Sequence, residues 1–126
     1  MKRIVSVLII AALMVGFIGI HLYKINSFER EASKICGEIY TEFYDENWDN
    51  IRELVARLDE VWYKNRLWAS VTLKTDVIDE IEISLMQCTE YSKIAAKENF
   101  IGEFKMFCML IEHLPKQEKA SLGELL

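Results

Sequence analysis

Apolar positions follow two regimes along this chain. Ile4 to Ile20 is an unbroken run of 17 uncharged positions, relieved only by Ser6, Gly16 and Gly19. From Ile25 onward the apolar residues recur three and four apart, the spacing of one helical face. The stripe Ile25, Phe28, Ala32, Ile35, Ile39, Phe43 predicts a first amphipathic helix that runs on from the apolar stretch and breaks at Tyr44-Asp45-Glu46-Asn47. A second helix begins near Trp48 and carries Ile51, Leu54, Val55, Leu58, Val61 and Trp62. A third starts near Thr75 or Asp76, both good caps, with Ile78, Ile81, Leu85 and Cys88 inward. Lys97-Glu98-Asn99 reads as the next turn, and Phe100, Phe104, Phe107, Cys108, Ile111 and Leu114 form a fourth stripe that Pro115 should stop. No segment alternates as a strand does. Val71-Thr72-Leu73 is β-prone but short, and reads as the link between two hairpins. The expectation is an all-α fold in which an N-terminal transmembrane helix precedes two antiparallel helical hairpins.

The hairpins resemble each other. Glu46-Asn47-Trp48 and Glu98-Asn99-Phe100 recur 52 residues apart, and Leu54, Val55 and Leu58 then align with Met106, Phe107 and Leu110. Such a degenerate repeat fits a short helical-repeat-like stack or a four-helix bundle equally well.

At about 1.5 Å per residue, Ile4 to Tyr23 is long enough to cross the hydrocarbon core of a bilayer, roughly 30 Å. Lys2, Arg3 and the terminal amine precede this stretch, whereas Lys24, Glu29, Arg30 and Glu31 mix signs after it. The positive-inside rule then leaves residues 1–3 as a cytoplasmic tip, residues 4–23 as the anchor, and residues 24–126 as an exported helical domain. A cleaved signal peptide is the rival. Its apolar run is usually shorter and ends in small residues, where this one ends in Ile20-His21-Leu22-Tyr23. The expected location is therefore the cell membrane, single-pass, with the C-terminal domain extracytoplasmic.

Charge narrows the class of partner. The chain carries a net charge of −5, and beyond Tyr23 thirteen basic residues face twenty acidic ones. An acidic domain disfavours nucleic acid, and also disfavours flat electrostatic adsorption to anionic lipid.

The second half resembles a known family. Trp62 and Trp68 six apart, Ile78-Asp79-Glu80-Ile81-Glu82-Ile83-Ser84, the closing Leu110-Ile111-Glu112-His113-Leu114-Pro115 and the tail Lys116-Gln117-Glu118-Lys119 carry the likeness. With the Glu46-Asn47-Trp48 turn and the apolar N-terminus, the chain resembles the small membrane-anchored helical proteins of domain of unknown function 4363 over most of its length. The resemblance implies a protein of Firmicutes with one N-terminal membrane helix, whose gene often neighbours one for a multi-span membrane protein. It also implies Asp-His before the third helix, where this chain has Lys74-Thr75.

His21 falls at the membrane boundary and His113 near the expected end of the fourth helix, where a histidine commonly serves the helix dipole. Glu-x-x-His, His-Glu-x-x-His and paired Cys-x-x-Cys are missing from the sequence, and no nucleophile motif or Gly-rich phosphate loop occurs in it. Cys36, Cys88 and Cys108 lie on three different helices and read as buried thiols, with at most one bridge among them. Asp76, Asp79, Glu80 and Glu82 read as a solvated helix start.

The aromatics are the densest feature. Trp62 and Trp68 stand about 240° apart on a continuous helix, so they cannot share one face. This makes Trp62, Trp68, Leu73, Phe100 and His113 the expected partner or ligand surface. The sequence therefore predicts a membrane-anchored, non-enzymatic interaction or accessory module for another membrane protein, without cofactor or metal. The alternative is a sensory domain that binds a ligand or lipid between the hairpins near Trp68 and Phe100, which requires a cavity of roughly 300 Å³.

Overall fold

The computed structural model describes residues 1–125; the expected end of the exported domain, residue 126, lies outside them. Four helices account for nearly all of the described chain: α1 (Lys2–Tyr44), α2 (Trp48–Thr72), α3 (Thr75–Lys93) and α4 (Lys97–Leu125). Each packs on its two neighbours in the ring order α1, α2, α3, α4, with α4 closing on α1. Short turns make successive helices antiparallel, so the fold is a four-helix bundle rather than a repeat stack.

The core is built from the stripes read in the sequence. Ile39, Ile51, Leu58, Ile81, Leu85, Phe104, Phe107 and Ile111 are all buried, with Leu54 at its edge. At one end Phe43, Trp48, Phe100 and Phe104 form an aromatic cluster, in which Phe100 and Phe104 stack with centroids 5.5 Å apart. This is the distal end, farthest from the N-terminus of α1.

The two distal turns share one geometry. Glu46 and Ala95 have φ of 54° and 52°. In the first turn Glu46 N–H donates to Phe43 C=O and Asn47 N–H to Glu42 C=O; in the second, Ala95 donates to Ser92 and Ala96 to Tyr91. Both are Schellman endings with a non-glycine residue in the left-handed position. They stand 49 residues apart, which corrects the 52-residue register expected from Glu-Asn-aromatic. In the new register buried Ile51, Val55, Leu58 and Trp62 correspond to buried Phe100, Phe104, Phe107 and Ile111. Asn47 caps α2 by accepting from Asn50 N–H, whereas Asn99 is already helical. Asn99 is thus a coincidence of sequence. Lys97 pairs with Glu46 and ties the two turns together, and its ammonium holds the Glu46 carboxyl below the usual carboxylate range.

Three helix ends differ from the expectation. Val71 and Thr72 belong to α2, and the link shrinks to Leu73-Lys74, with Leu73 N–H bonded to Ala69 C=O at 2.8 Å. Thr75 is the first residue of α3, preceded by Lys74 without a side-chain cap. Pro115 does not stop α4, which continues to Leu125. Proline removes one backbone hydrogen bond and crowds the carbonyl one turn back. Tertiary contacts on both sides oppose that cost: Leu114 is buried in the core, and Glu118 is hydrogen-bonded to α1.

α1 is one uninterrupted helix of 43 residues. Its first part, through Ile20, is apolar and almost wholly exposed, and it meets the length and composition needed to cross a membrane. From His21 onward the helix packs in the bundle through His21, Ile25, Phe28, Ala32, Ile35, Ile39 and Phe43.

Candidate functional site

The densest side-chain constellation lies at the proximal end, where the apolar part of α1 leaves the bundle. His21 is only 3 % exposed there, although it follows 17 uncharged positions. Both ring nitrogens are engaged. Trp68 Nε1–H on α2 donates to His21 Nδ1 at 3.2 Å, and His21 Nε2 stands 2.9 Å from Glu118 Oε2 on α4. Because Nδ1 accepts, the ring hydrogen sits on Nε2 and is donated to the carboxylate. One imidazole thereby joins three helices.

Aromatic and cationic groups surround this clasp. Phe17, one turn before His21, stacks on its ring with centroids 6.5 Å apart and lies 5.8 Å from the Trp68 ring. Lys24, nearly one turn after, holds its ammonium 4.8 Å from the Trp68 centroid on the ring face. The clasp has little free space. The void lined by Lys24, Phe28, Trp62, Trp68, Leu73 and Leu114 is about 10 Å³, room for one water and no more.

The five residues expected to form one surface are dispersed. Trp68 is half-buried in the clasp. Trp62 is core, its ring tilted against Phe28 with centroids 5.7 Å apart, and its Nε1–H is buried without a partner among the described residues. Leu73 turns inward and is buried, which corrects the idea of an exposed apolar link. Phe100 is fully buried at the distal end. Twenty residues of α2 separate Trp48, its neighbour, from Trp68, about 30 Å along the bundle. Trp68 and Phe100 therefore do not share a ligand site. His113 is exposed in the middle of α4 and not at its end, because the helix passes through Pro115. Trp62 is buried and Trp68 half-buried, and both line the small void at the base of the bundle.

Sequence reasoning placed His21 only at a boundary and missed Phe17, Lys24 and Glu118. Its one available signal was a histidine directly after a long apolar run. Such a residue needs polar partners if the helix continues into a packed structure.

A second constellation lies in the α1–α4 seam. Ser33, Cys36, Gly37 and Tyr40 of α1 and Cys108, Ile111 and Glu112 of α4 line a cleft of about 200 Å³. Cys36 and Cys108 lie together in this cleft, and their proximity raises the pKa of Cys36 and lowers that of Cys108. Burial pushes Cys88 up to about 12. The three thiols are free. Among the described residues no group of three or more His, Cys, Asp or Glu side chains is arranged to hold a metal.

No curated protein and no solved structure matches this chain. A family comparison does. The match covers residues 20–125 and so begins within one residue of His21, taking in the clasp and the whole bundle. The chain belongs to the family defined by the domain of unknown function DUF4363.

Proposed function

We propose that the protein is a single-pass, membrane-anchored accessory module. Residues 4–23 cross the bilayer, the N-terminus is cytoplasmic, and the bundle stands outside, where it holds another membrane protein and performs no reaction of its own. One observation carries this reading: α1 is continuous from its exposed apolar part into the bundle, and His21 fastens that helix to α2 and α4. The bundle thus holds the C-terminal end of the apolar stretch through Phe17 and through His21, which directly follows the stretch, and this favours a retained anchor over a cleaved leader. Lys2 and Arg3 before the stretch favour the stated orientation.

A partner surface is available on the outer faces of α3 and α4. Ile83 and Met86 on α3 and Met106 and Met109 on α4 are exposed. Methionine adapts to varied apolar partners. The ligand-binding alternative has less support, since the space beside Trp68 is too small for an organic molecule.

The test uses native membranes. The full chain should resist alkaline carbonate extraction, retain Met1, and lose its C-terminal bundle when intact spheroplasts are treated with protease. Crosslinking followed by mass spectrometry should then recover a multi-span membrane protein. A mature N-terminus near residue 24 would sink the anchor. Full protection from protease would reverse the orientation.

A further inference from the structure

We infer that the proximal end of the bundle is a lipid-contacting surface, seated in the interfacial zone of the bilayer that α1 crosses. This rests on the anchor reading and deepens it by naming what the base of the bundle touches.

Trp68 packs on Phe17 and His21, and Phe17 lies inside the uncharged run that ends at Ile20. α2 runs antiparallel to α1, so its last turn lies level with Phe17 or beyond. A span of about 20 residues is needed to cross roughly 30 Å of hydrocarbon. If Ile4 to Tyr23 fills that thickness, Phe17 lies about 9 Å inside the outer boundary. The end of α2 must share that depth, because it is packed on the same helix.

The chemistry of that end suits the placement. Leu67 and Val71, one turn apart on α2, are 81 % and 73 % exposed, and Tyr23 on α1 is 67 % exposed. The hydroxyls at this level are satisfied by the backbone, and the exposed charges Lys74 and Asp76 sit close together in the link and the start of α3 that follow. Ser70 Oγ–H donates to Leu67 C=O, Thr72 Oγ1–H to Trp68 C=O, and Trp68 Nε1–H to His21. Lys24 lies over the Trp68 ring, an ammonium and an indole together, the pair favoured at the lipid headgroup level.

The experiment follows the depth of Trp68 in the full chain. Trp48→Phe and Trp62→Phe leave Trp68 as the sole indole, and Trp62→Phe removes a donor that has no partner. The protein is reconstituted into phosphatidylcholine–phosphatidylglycerol vesicles carrying bromine near the top of the acyl chain or near its end. The expected result is flotation with the vesicles and quenching about twofold stronger by the shallow bromines than by the deep ones. Flotation without quenching leaves the anchor standing and overturns this inference. Failure to float removes the anchor reading, and the inference with it.

A second arm keeps all three tryptophans. Val71→Cys and, as a distal control, exposed Tyr44→Cys are each labelled with a nitroxide. The ratio of oxygen to nickel-chelate accessibility should be about threefold higher at position 71. Equal ratios at the two positions would overturn the inference independently of the fluorescence.

Discussion

Single residues at two turns and in one seam carry testable chemistry. Ala95 occupies the left-handed position of the second Schellman turn, where a Cβ is strained and glycine is at ease. Ala95→Gly should stabilise the bundle by about 0.5–1 kcal/mol, measured as a higher urea midpoint. Glu46→Gly at the matching position should gain less, because it also removes the partner of Lys97. In the α1–α4 seam, half-buried Cys108 has a lowered pKa and should be the first thiol alkylated in the folded protein. Cys36 and Cys88 should react only on unfolding. Cys88 also gives a pH signature. Its folded pKa, about 12, lies above the model-compound value of 9.0. The thiol therefore favours the folded state fully below pH 9.0, and that contribution is lost as pH rises toward about 12. Cys88→Ala should flatten part of the decline in urea midpoint across that window.

At the scale of the helices, the stripes explain the core and the clasp explains the base. Leu58→Ala truncates a side chain that is 2 % exposed and should cost about 2–5 kcal/mol in the folded bundle. Glu118→Ala leaves the Nε2–H of buried His21 without an acceptor. The cost should be about 1–3 kcal/mol, with faster amide exchange in α4 after Pro115. An unchanged midpoint would mean that water replaces the carboxylate. The core stripes were legible in the sequence because burial imposes a period of three and four on every helix, from Ile25 to Leu114. The helix ends were less legible. Pro115 reads as a stop in isolation, but packing of Leu114 and bonding of Glu118 carry α4 through it. Val71-Thr72 continues α2, with the Thr72 hydroxyl bonded back to Trp68 C=O. The clasp was not legible. His21 and Glu118 are separated by 97 residues, and nothing local in either segment says which carboxylate a buried imidazole will meet.

For the molecule as a whole, bundle packing overlaps the end of the apolar stretch. The sequence alone placed the boundary between anchor and domain after Tyr23, where the uncharged run ends and Lys24 begins. The packing reaches down to His21 and Phe17. A soluble fragment starting at Lys24 would lose both rings that cover Trp68 and would strand Glu118. Such a fragment should melt several degrees below one starting at Phe17, as followed by circular dichroism. Equal midpoints would show that the clasp adds nothing to the stability of the bundle. The family match from residue 20 falls on the same boundary as the packing.

The unbroken α1 is also a mechanical element. No proline, glycine pair or turn interrupts it between Ile20 and Tyr44, and the clasp removes the freedom that a linker would give. Any change in the angle at which its first turns lie is therefore passed on undiminished to the distal aromatic cluster. Ile20 to Tyr44 is about 36 Å of helix, so a tilt of roughly 10° would sweep the Glu46 and Ala95 turns sideways by about 6 Å. Transmembrane helices tilt to match the thickness of their surroundings. On the proposed anchor reading, the far tip of the bundle works as the pointer of a gauge whose short arm lies among the lipids.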